Sequence, residues 1–165
     1  MIGMRWILIL ELLVLLTLAN GTPVIAKRLL GKFLDQPLDG GITFLDGQPL
    51  LGPSKSVRGI VLSILITTAL APAVGLEWKI GLVVSSMAMA GDLFSSFVKR
   101  RLRYPPSTRA TGLDQIPESL FPTLACRTLL ELTAFEISMV VAVFFVGEIV
   151  LSKLLFELHV RDRPF

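Results

Sequence analysis

From Lys79 to Arg101 the chain reads KIGLVVSSMAMAGDLFSSFVKRR, and this stretch decides what kind of fold to expect. Residues 79–98 are almost free of charge, and about 20 such residues in a helix cross a bilayer core of about 30 Å. Past Lys79 the exception is Asp92, seven residues before Lys99. At about 1.5 Å per residue it lies roughly 10 Å below the basic end of the helix. An aspartate at that depth costs about 3 kcal/mol on insertion scales, so it faces a protein interior or a wet cavity rather than lipid. Ser85, Met89, Asp92, Ser96 and Lys99 recur at steps of three or four and form one stripe, which reads as the wall of a cavity open at the basic end. Ala88, Gly91 and Ser95 make a neighbouring small-residue strip that lets another helix approach closely.

The rest of the chain agrees. Of 165 residues, 53% are hydrophobic and 18% charged, against about 25% charged in soluble domains, and the mean hydropathy is +0.72. A water-soluble globule is excluded. The pattern predicts an all-α, polytopic integral membrane protein, one membrane domain over 1–165. Its five transmembrane helices are expected at about 5–28, 57–76, 79–98, 116–130 and 133–155, with two long cytoplasmic loops at 29–56 and 99–115. The first span is interrupted by Asn20-Gly21-Thr22-Pro23, and the fourth is short and broken by Pro117 and Pro122. The first is read as a membrane helix rather than a cleaved signal, because only Arg5 precedes it and four more apolar segments follow. Sixteen Lys and Arg against thirteen Asp and Glu give a net charge of +3, too balanced for a nucleic-acid partner. The single cysteine, Cys126, has no intrachain partner and reads as packing.

Lysine and arginine set the orientation. Lys27, Arg28, Lys32, Lys55 and Arg58 belong to the first loop; Lys99, Arg100, Arg101, Arg103 and Arg109 to the second; Lys153, Arg161 and Arg163 to the C-terminus. Only Arg5, Lys79 and Arg127 fall toward the other side. Short basic loops stay cytoplasmic, which predicts a protein of the cytoplasmic membrane, N-terminus out, C-terminus in, with its site facing the cytoplasm. The same loops could also serve only to hold anionic lipid headgroups.

Several polar groups are candidates for chemistry. Asn20 precedes Lys27 by the same seven residues that separate Asp92 from Lys99. Pro23 clashes with the carbonyl of Ala19, so a kink there either frees backbone groups beside Asn20 and Thr22 for a polar ligand or is satisfied between helices. The first loop carries Asp39-Gly40-Gly41, Asp46-Gly47 and Gly52-Pro53-Ser54-Lys55-Ser56-Val57-Arg58-Gly59. Glycines, hydroxyls and cations ahead of a helix start suit a phosphate, although no Walker A pattern is present and ordinary turn and capping chemistry accounts for the same residues. In the second loop Asp92 and Asp114-Gln115 flank Lys99-Arg100-Arg101. Mg²⁺ takes one or two carboxylates plus phosphate oxygens, so this pair suits a metal-bound triphosphate. No His or Cys cluster suits zinc, and His159 reads as an interfacial residue. Glu11 and Glu136 read as interhelical hydrogen-bonding groups, with Glu148 open.

At these residues the chain resembles the CDP-archaeol synthase family, membrane CTP-transferases related to the CDP-diacylglycerol synthases. Ala19-Asn20-Gly21-Thr22-Pro23-Val24 resembles the family's Ala-Asn-x-x-Pro-Val, and Leu38-Asp39-Gly40-Gly41 with Asp46-Gly47 its first loop. Lys55-Ser56-Val57-Arg58-Gly59 is similar to Lys-Thr-Trp-Arg-Gly; Gly91-Asp92, Ser96-Phe97 and Lys99-Arg100-Arg101 to its Gly-Asp, Ser-Phe and Lys-Arg-Arg; and Leu113-Asp114-Gln115 to its Asp-Gln element. Ser56, Val57 and the Ile116-Pro117-Glu118 continuation depart from the pattern. The resemblance implies transfer of CMP from CTP to a lipid phosphate, giving a CDP-lipid and pyrophosphate, with Mg²⁺ as cofactor. It implies Asp92 and Asp114 as metal ligands, and Lys55, Arg58, Lys99 and Arg100 on the phosphates. Asn20 and Thr22 then read the base or ribose, with Asp39, Gly40, Gly41, Asp46, Ser96 and Gln115 as further substrate-binding positions. The departures leave the lipid acceptor open. A transporter subunit or scaffold, and a lipid-phosphate phosphatase, are the rival readings.

Overall fold

The computed structural model describes residues 5–31, 33–106, 108 and 110–157, except the side chains of 152 and 154–157. Lys32, Arg109, His159, Arg161 and Arg163 lie outside the described residues. Helix α1 spans Trp6–Leu30, α2 Val57–Leu70 with a 3-10 extension Ala71–Val74, α3 Trp78–Arg101, α4 Gln115–Ala125 and α5 Ala134–Glu157. Among the described residues there is no strand, only isolated bridges Pro37–Ser56 and Thr43–Pro49 within the first long loop.

α3 is the central helix, packed against α1, α2 and α4, while α5 lies on α4 and α1. The buried side chains of α1, Ile9, Leu12, Leu15, Leu16 and Ala19, recur at helical spacing and meet Val84 and Ala88 of α3 and Val140 and Phe144 of α5. Much of what remains outward is apolar, as on a lipid-facing helix: Ile7, Leu10 and Ile25 on α1, Val61 and Leu65 on α2. Small residues set the closest approaches. A Cβ on Gly81 would lie 2.6 Å from the Cβ of Ala71, and one on Gly91 would lie 2.3 Å from the carbonyl oxygen of Pro117. Gly91, in the strip expected from Ala88, Gly91 and Ser95, thus seats α4.

Pro23 does not break α1. The Ala19 carbonyl that it strips of an amide partner accepts a 2.7 Å hydrogen bond from Ser63 Oγ of α2. Of the two outcomes foreseen for this kink, the interhelical one holds for that carbonyl.

Four helices are long and apolar enough to cross a membrane: Trp6–Leu30, Val57–Val74, Trp78–Arg101 and Ala134–Leu151. The expected fourth span corrects to an 11-residue helix, about 16 Å long against a core of about 30 Å. Two local causes shorten it. At its start, the Leu113 carbonyl accepts from Ser95 Oγ at 2.6 Å, so the chain has already descended alongside α3 before α4 begins. At its end, past Pro122, the backbone leaves the helix at Cys126 and turns through Glu131, whose φ is +51°. Arg5, just before α1, donates to both oxygens of Glu136 at 2.9 and 2.8 Å and to the carbonyls of Leu130 and Glu131. That clamp puts the starts of α1 and α5 at one end of the bundle and gives Glu136 the interhelical role expected of it. The long loops lie at the other end.

Candidate active site

The first loop is built around two buried side chains. Asp39 accepts from the amides of Gly41 at 3.0 Å and of Leu51 and Gly52 at 2.9 Å. Burial works against its charge, but the amides of Gly52, Leu51 and Gly41 outweigh that and hold its carboxyl below the usual range. Gly40 and Gly41 take φ of +56° and +79° in the turn beside it, a conformation that favours glycine. Arg58 donates to the carbonyls of Phe33 and Gly31 and to Asp35, at 3.1 Å for the last. Both residues therefore shape the loop, and Arg58 points into the chain rather than outward.

Arg101 fastens that loop to α3. It pairs with Asp46 at 3.0 Å, donates to the Pro49 carbonyl at 2.6 Å, and lies over the rings of Phe44 and Phe97 at 4.5 and 5.0 Å. Asp46 also accepts from the Gln48 amide at 3.0 Å. Its place is a clasp between loop and helix.

The chemistry-bearing groups converge at the loop end of α3. Lys55 Nζ bonds both Asp92 oxygens, 2.6 Å for the longer contact. These two line a cavity with Pro23, Lys27, Asp35 and Met89. Lys99 Nζ pairs with Asp114 at 2.7 Å and donates to the Thr108 carbonyl at 3.1 Å, while the other Asp114 oxygen accepts from the Ala110 amide at 2.9 Å. Burial acts most strongly on Lys55 and works against its ammonium, but Asp92, with Glu118 and Asp114 behind it, lifts it above its ordinary value. Asp92 and Asp114, 22 residues apart in sequence, are thus each paired with a lysine at the loop end of α3. Asp92, with about 21% of its side chain exposed, is not sealed in dry packing.

Arg100 is 4% exposed, and its Nε and Nη1 have no hydrogen-bond partner; its side chain lies beside Gly52, close to the Asp39 turn. Gln115 is fully buried, its Oε1 accepting from the Gly112 amide at 2.8 Å, while its Nε2 has no acceptor.

The expected stripe on α3 divides. Met89 and Asp92 reach the cavity and Lys99 turns to Asp114, whereas Ser85 is fully buried and returns its hydroxyl to the Gly81 carbonyl at 2.7 Å; Ser96 is buried too. On α1, Asn20 donates to Leu16 O at 3.0 Å and Thr22 to Leu18 O at 2.6 Å, so both side chains satisfy their own helix. Glu118 is the group that sequence reasoning missed. It is 7% exposed, in the first turn of α4, with its backbone amide against Gly91 of α3. Its spacing from Asp114, four residues along a helix and hence on one face, was the available signal.

A family model described as CarS-like CDP-archaeol synthase matches residues 6–165. The chain belongs to the CDP-archaeol synthase family. The CDP-archaeol synthase of Sulfurisphaera tokodaii is 31% identical over 153 residues, covering 89% of each chain. That of Pyrococcus furiosus is 36% identical over 107 residues, 59% of this chain and 60% of its own. A solved intramembrane enzyme of archaeal membrane-lipid biosynthesis superposes with a TM-score of 0.69 at 25% identity, covering 83% of this chain and 90% of that one. Membership in the CDP-archaeol synthase family makes the chain a membrane-held cytidylyltransferase of lipid biosynthesis, and sets aside the scaffold reading.

Proposed function

We propose that this chain catalyses Mg²⁺-dependent transfer of CMP from CTP to a lipid phosphate, archaeol-type or a related phospholipid precursor, giving a CDP-lipid and pyrophosphate. The observation that carries the reading is the set of paired charges at the loop end of α3. Asp92 is held by Lys55 and Asp114 by Lys99, near a buried Arg100 with unpartnered nitrogens. Buried guanidinium nitrogens without acceptors are costly, and a phosphate seated on Arg100 relieves that cost. Lys55 and Lys99 can then turn to phosphate oxygens as their carboxylates take up a cation.

The all-oxygen character of Asp92 and Asp114 fits a hard divalent ion. Among the described residues no three His, Cys, Asp or Glu side chains are grouped to hold a metal. Mg²⁺ would therefore rest on these two carboxylates and on substrate oxygens, where it would neutralise charge on the triphosphate and on the leaving pyrophosphate. The lipid phosphate is itself an anionic nucleophile and needs no strong base. One of its oxygens attacks the α-phosphorus of CTP; the bond from that phosphorus to the oxygen bridging to the β-phosphate breaks, and pyrophosphate leaves with the electron pair. The work of Lys55, Lys99 and Arg100 is alignment and charge compensation.

The cavity at Asp92 measures about 60 Å³, room for about two waters, whereas sites for drug-sized ligands run to about 300–1,000 Å³. CTP would therefore extend beyond this cavity over the loop end of α3. Asn20 and Thr22 would read the base or ribose by exchanging their intrahelical bonds, with Asp39, Gly40, Gly41, Asp46, Ser96 and Gln115 shaping the surrounding wall. The five-crossing, N-out, C-in arrangement is retained in this reading, with the fourth crossing at about 116–130 made of α4 and the turn that follows it. Both long loops then meet CTP from the cytoplasm, and the lipid enters from the bilayer between helices.

Purified protein in detergent, given labelled CTP, Mg²⁺ and a panel of lipid phosphates, should form a CDP-lipid. Asp92→Asn and Asp114→Asn should each lower turnover more than about 100-fold while the protein stays folded. Failure to form product with any acceptor, together with no CTP binding, overturns the reading. Phosphate release from the lipid without CTP would point to a phosphatase instead.

A further inference from the structure

The tip of the first loop sits where a fully solvated loop would not put it. Residues 44–48 close a tight turn: the Phe44 amide donates to the Gln48 carbonyl at 2.8 Å, the Gly47 amide to the Phe44 carbonyl at 2.9 Å and the Gln48 amide to Asp46 at 3.0 Å. The ring of Phe44 seats this turn on α3, edge-on to Phe97 with centroids 5.5 Å apart. Phe97 follows Ala88 by nine residues, about two and a half helical turns, and Ala88 packs in the core with α1. Phe97 therefore projects from the opposite side of α3, toward the flank on which Phe94 is 47% exposed. Depth follows from the other end of the helix. Trp78, half-exposed at the start of α3, and Lys79 after it belong at the far interface, and a core of about 20 residues counted from there ends near Val98. The seat of the turn thus lies at the edge of the hydrocarbon.

We infer that this turn is an interfacial anchor: Leu45, at its tip, enters the boundary between headgroups and acyl chains on the loop side of the bilayer, so that the membrane holds the first loop as well as α3 does. A lone exposed leucine needs no explanation. Leu45, however, is 97% exposed and directly follows the ring that rests on the outward side of α3, so it continues the apolar surface of a membrane-spanning helix. The polar groups around it already have partners, as entry into an interface requires. Besides the three bonded amides, Arg101 neutralises Asp46, donates to the Pro49 carbonyl and covers the rings of Phe44 and Phe97. The same loop carries the Asp39 turn, Gly52 beside Arg100, and Lys55, so an anchor at Leu45 steadies these groups against α3. The inference needs only α3 in the membrane and stands apart from the reaction proposed above.

The test uses full-length Leu45→Cys protein carrying a nitroxide, reconstituted in vesicles of phosphatidylcholine and phosphatidylglycerol. Position 45 makes almost no packing contact, so the fold is not at stake, and Cys126 is fully buried, so wild-type protein should take up little label. Collision with oxygen, which concentrates among acyl chains, is compared with collision with a water-soluble nickel chelate. The label should favour oxygen and lie within about 10 Å below the phosphate level. A label that favours nickel marks a solvated tip and overturns the inference. Shielding from both reagents, with spin–spin broadening that grows as protein is added to fixed lipid, marks a second copy of the chain on the tip and overturns it equally. An unlabelled variant supplies a second readout. Leu45→Asp would be silent at a solvated tip, but against lipid it should accelerate hydrogen exchange at the Gly47 and Gln48 amides several-fold in vesicles; unchanged exchange there also overturns the anchor.

Discussion

Replacing Gly91 with alanine tests whether helix approach, rather than residue identity alone, builds the site. The added Cβ would lie 2.3 Å from the Pro117 carbonyl oxygen, 2.5 Å from its carbon and 2.8 Å from the Glu118 amide nitrogen. Carbon–oxygen contacts settle near 3.3 Å, so α4 must retreat by roughly 1 Å. Backbone atoms on both sides leave no flexible side chain to yield. Overpacking of this kind costs about 1–3 kcal/mol. The larger effect should be on chemistry. Asp92 follows Gly91 directly, Asp114 and Glu118 ride on the displaced segment, and a misplacement of about 1 Å costs on the order of 100-fold in rate. Two controls separate the causes. Gly81→Ala meets a comparable obstruction, 2.6 Å from the Ala71 Cβ and 2.9 Å from the Thr67 carbonyl, but at the far end of α3. It should lose stability while the folded fraction keeps most of its turnover. Gly147→Ala meets nothing within 4 Å and should be neutral or gain up to about 1 kcal/mol from helix propensity. The assay is CDP-lipid formation per folded molecule alongside thermal unfolding. A Gly91→Ala protein with wild-type turnover and stability would refute the reasoning, since the α3–α4 contact would then not set the site.

Other substitutions probe separate parts of the structure. Ser63→Ala removes the donor to the carbonyl freed by Pro23 and should cost about 1–3 kcal/mol of stability, with kcat unchanged; a selective loss of CTP binding would mean that this carbonyl serves the ligand. Arg100→Met removes a buried cation with unpartnered nitrogens, so unfolding temperature should hold or rise while turnover drops about 100-fold or more; unchanged turnover would remove Arg100 from the phosphate site. Asp39 is held below the ordinary carboxylate range by amides that outweigh the effect of its burial. Its contribution to loop order is thus present above the unfolded value of about 3.9 and lost as pH falls through the lower folded value. Hydrogen exchange at the Leu51 and Gly52 amides should accelerate only in that acid window, and Asp39→Asn should accelerate it at neutral pH; protection unchanged in both cases would contradict the assignment.

Much of this protein was legible from residues alone, because membrane physics acts on composition and local period. Four of the five apolar segments read in the sequence became long helices, since a buried backbone must satisfy itself within its own segment. Asp92 announced itself by depth, and Asp114 by its place on the far side of a basic run. What only the tertiary structure decided was which charges meet. That depended on α4 starting partway down α3, through the Ser95 bond to the Leu113 carbonyl and the contact of Gly91 with Pro117. Sequence spacing cannot encode such an offset between two helices. For the same reason Arg58, Asp39 and Asp46, which look like ligand residues in a glycine-rich loop, turn out to hold that loop in shape. Glu118 stayed hidden because nothing in its own neighbourhood says that Gly91 of α3 will lie against its backbone. Solvation and helical period are local properties of a chain; the pairing of buried charges is a property of how its helices are staggered.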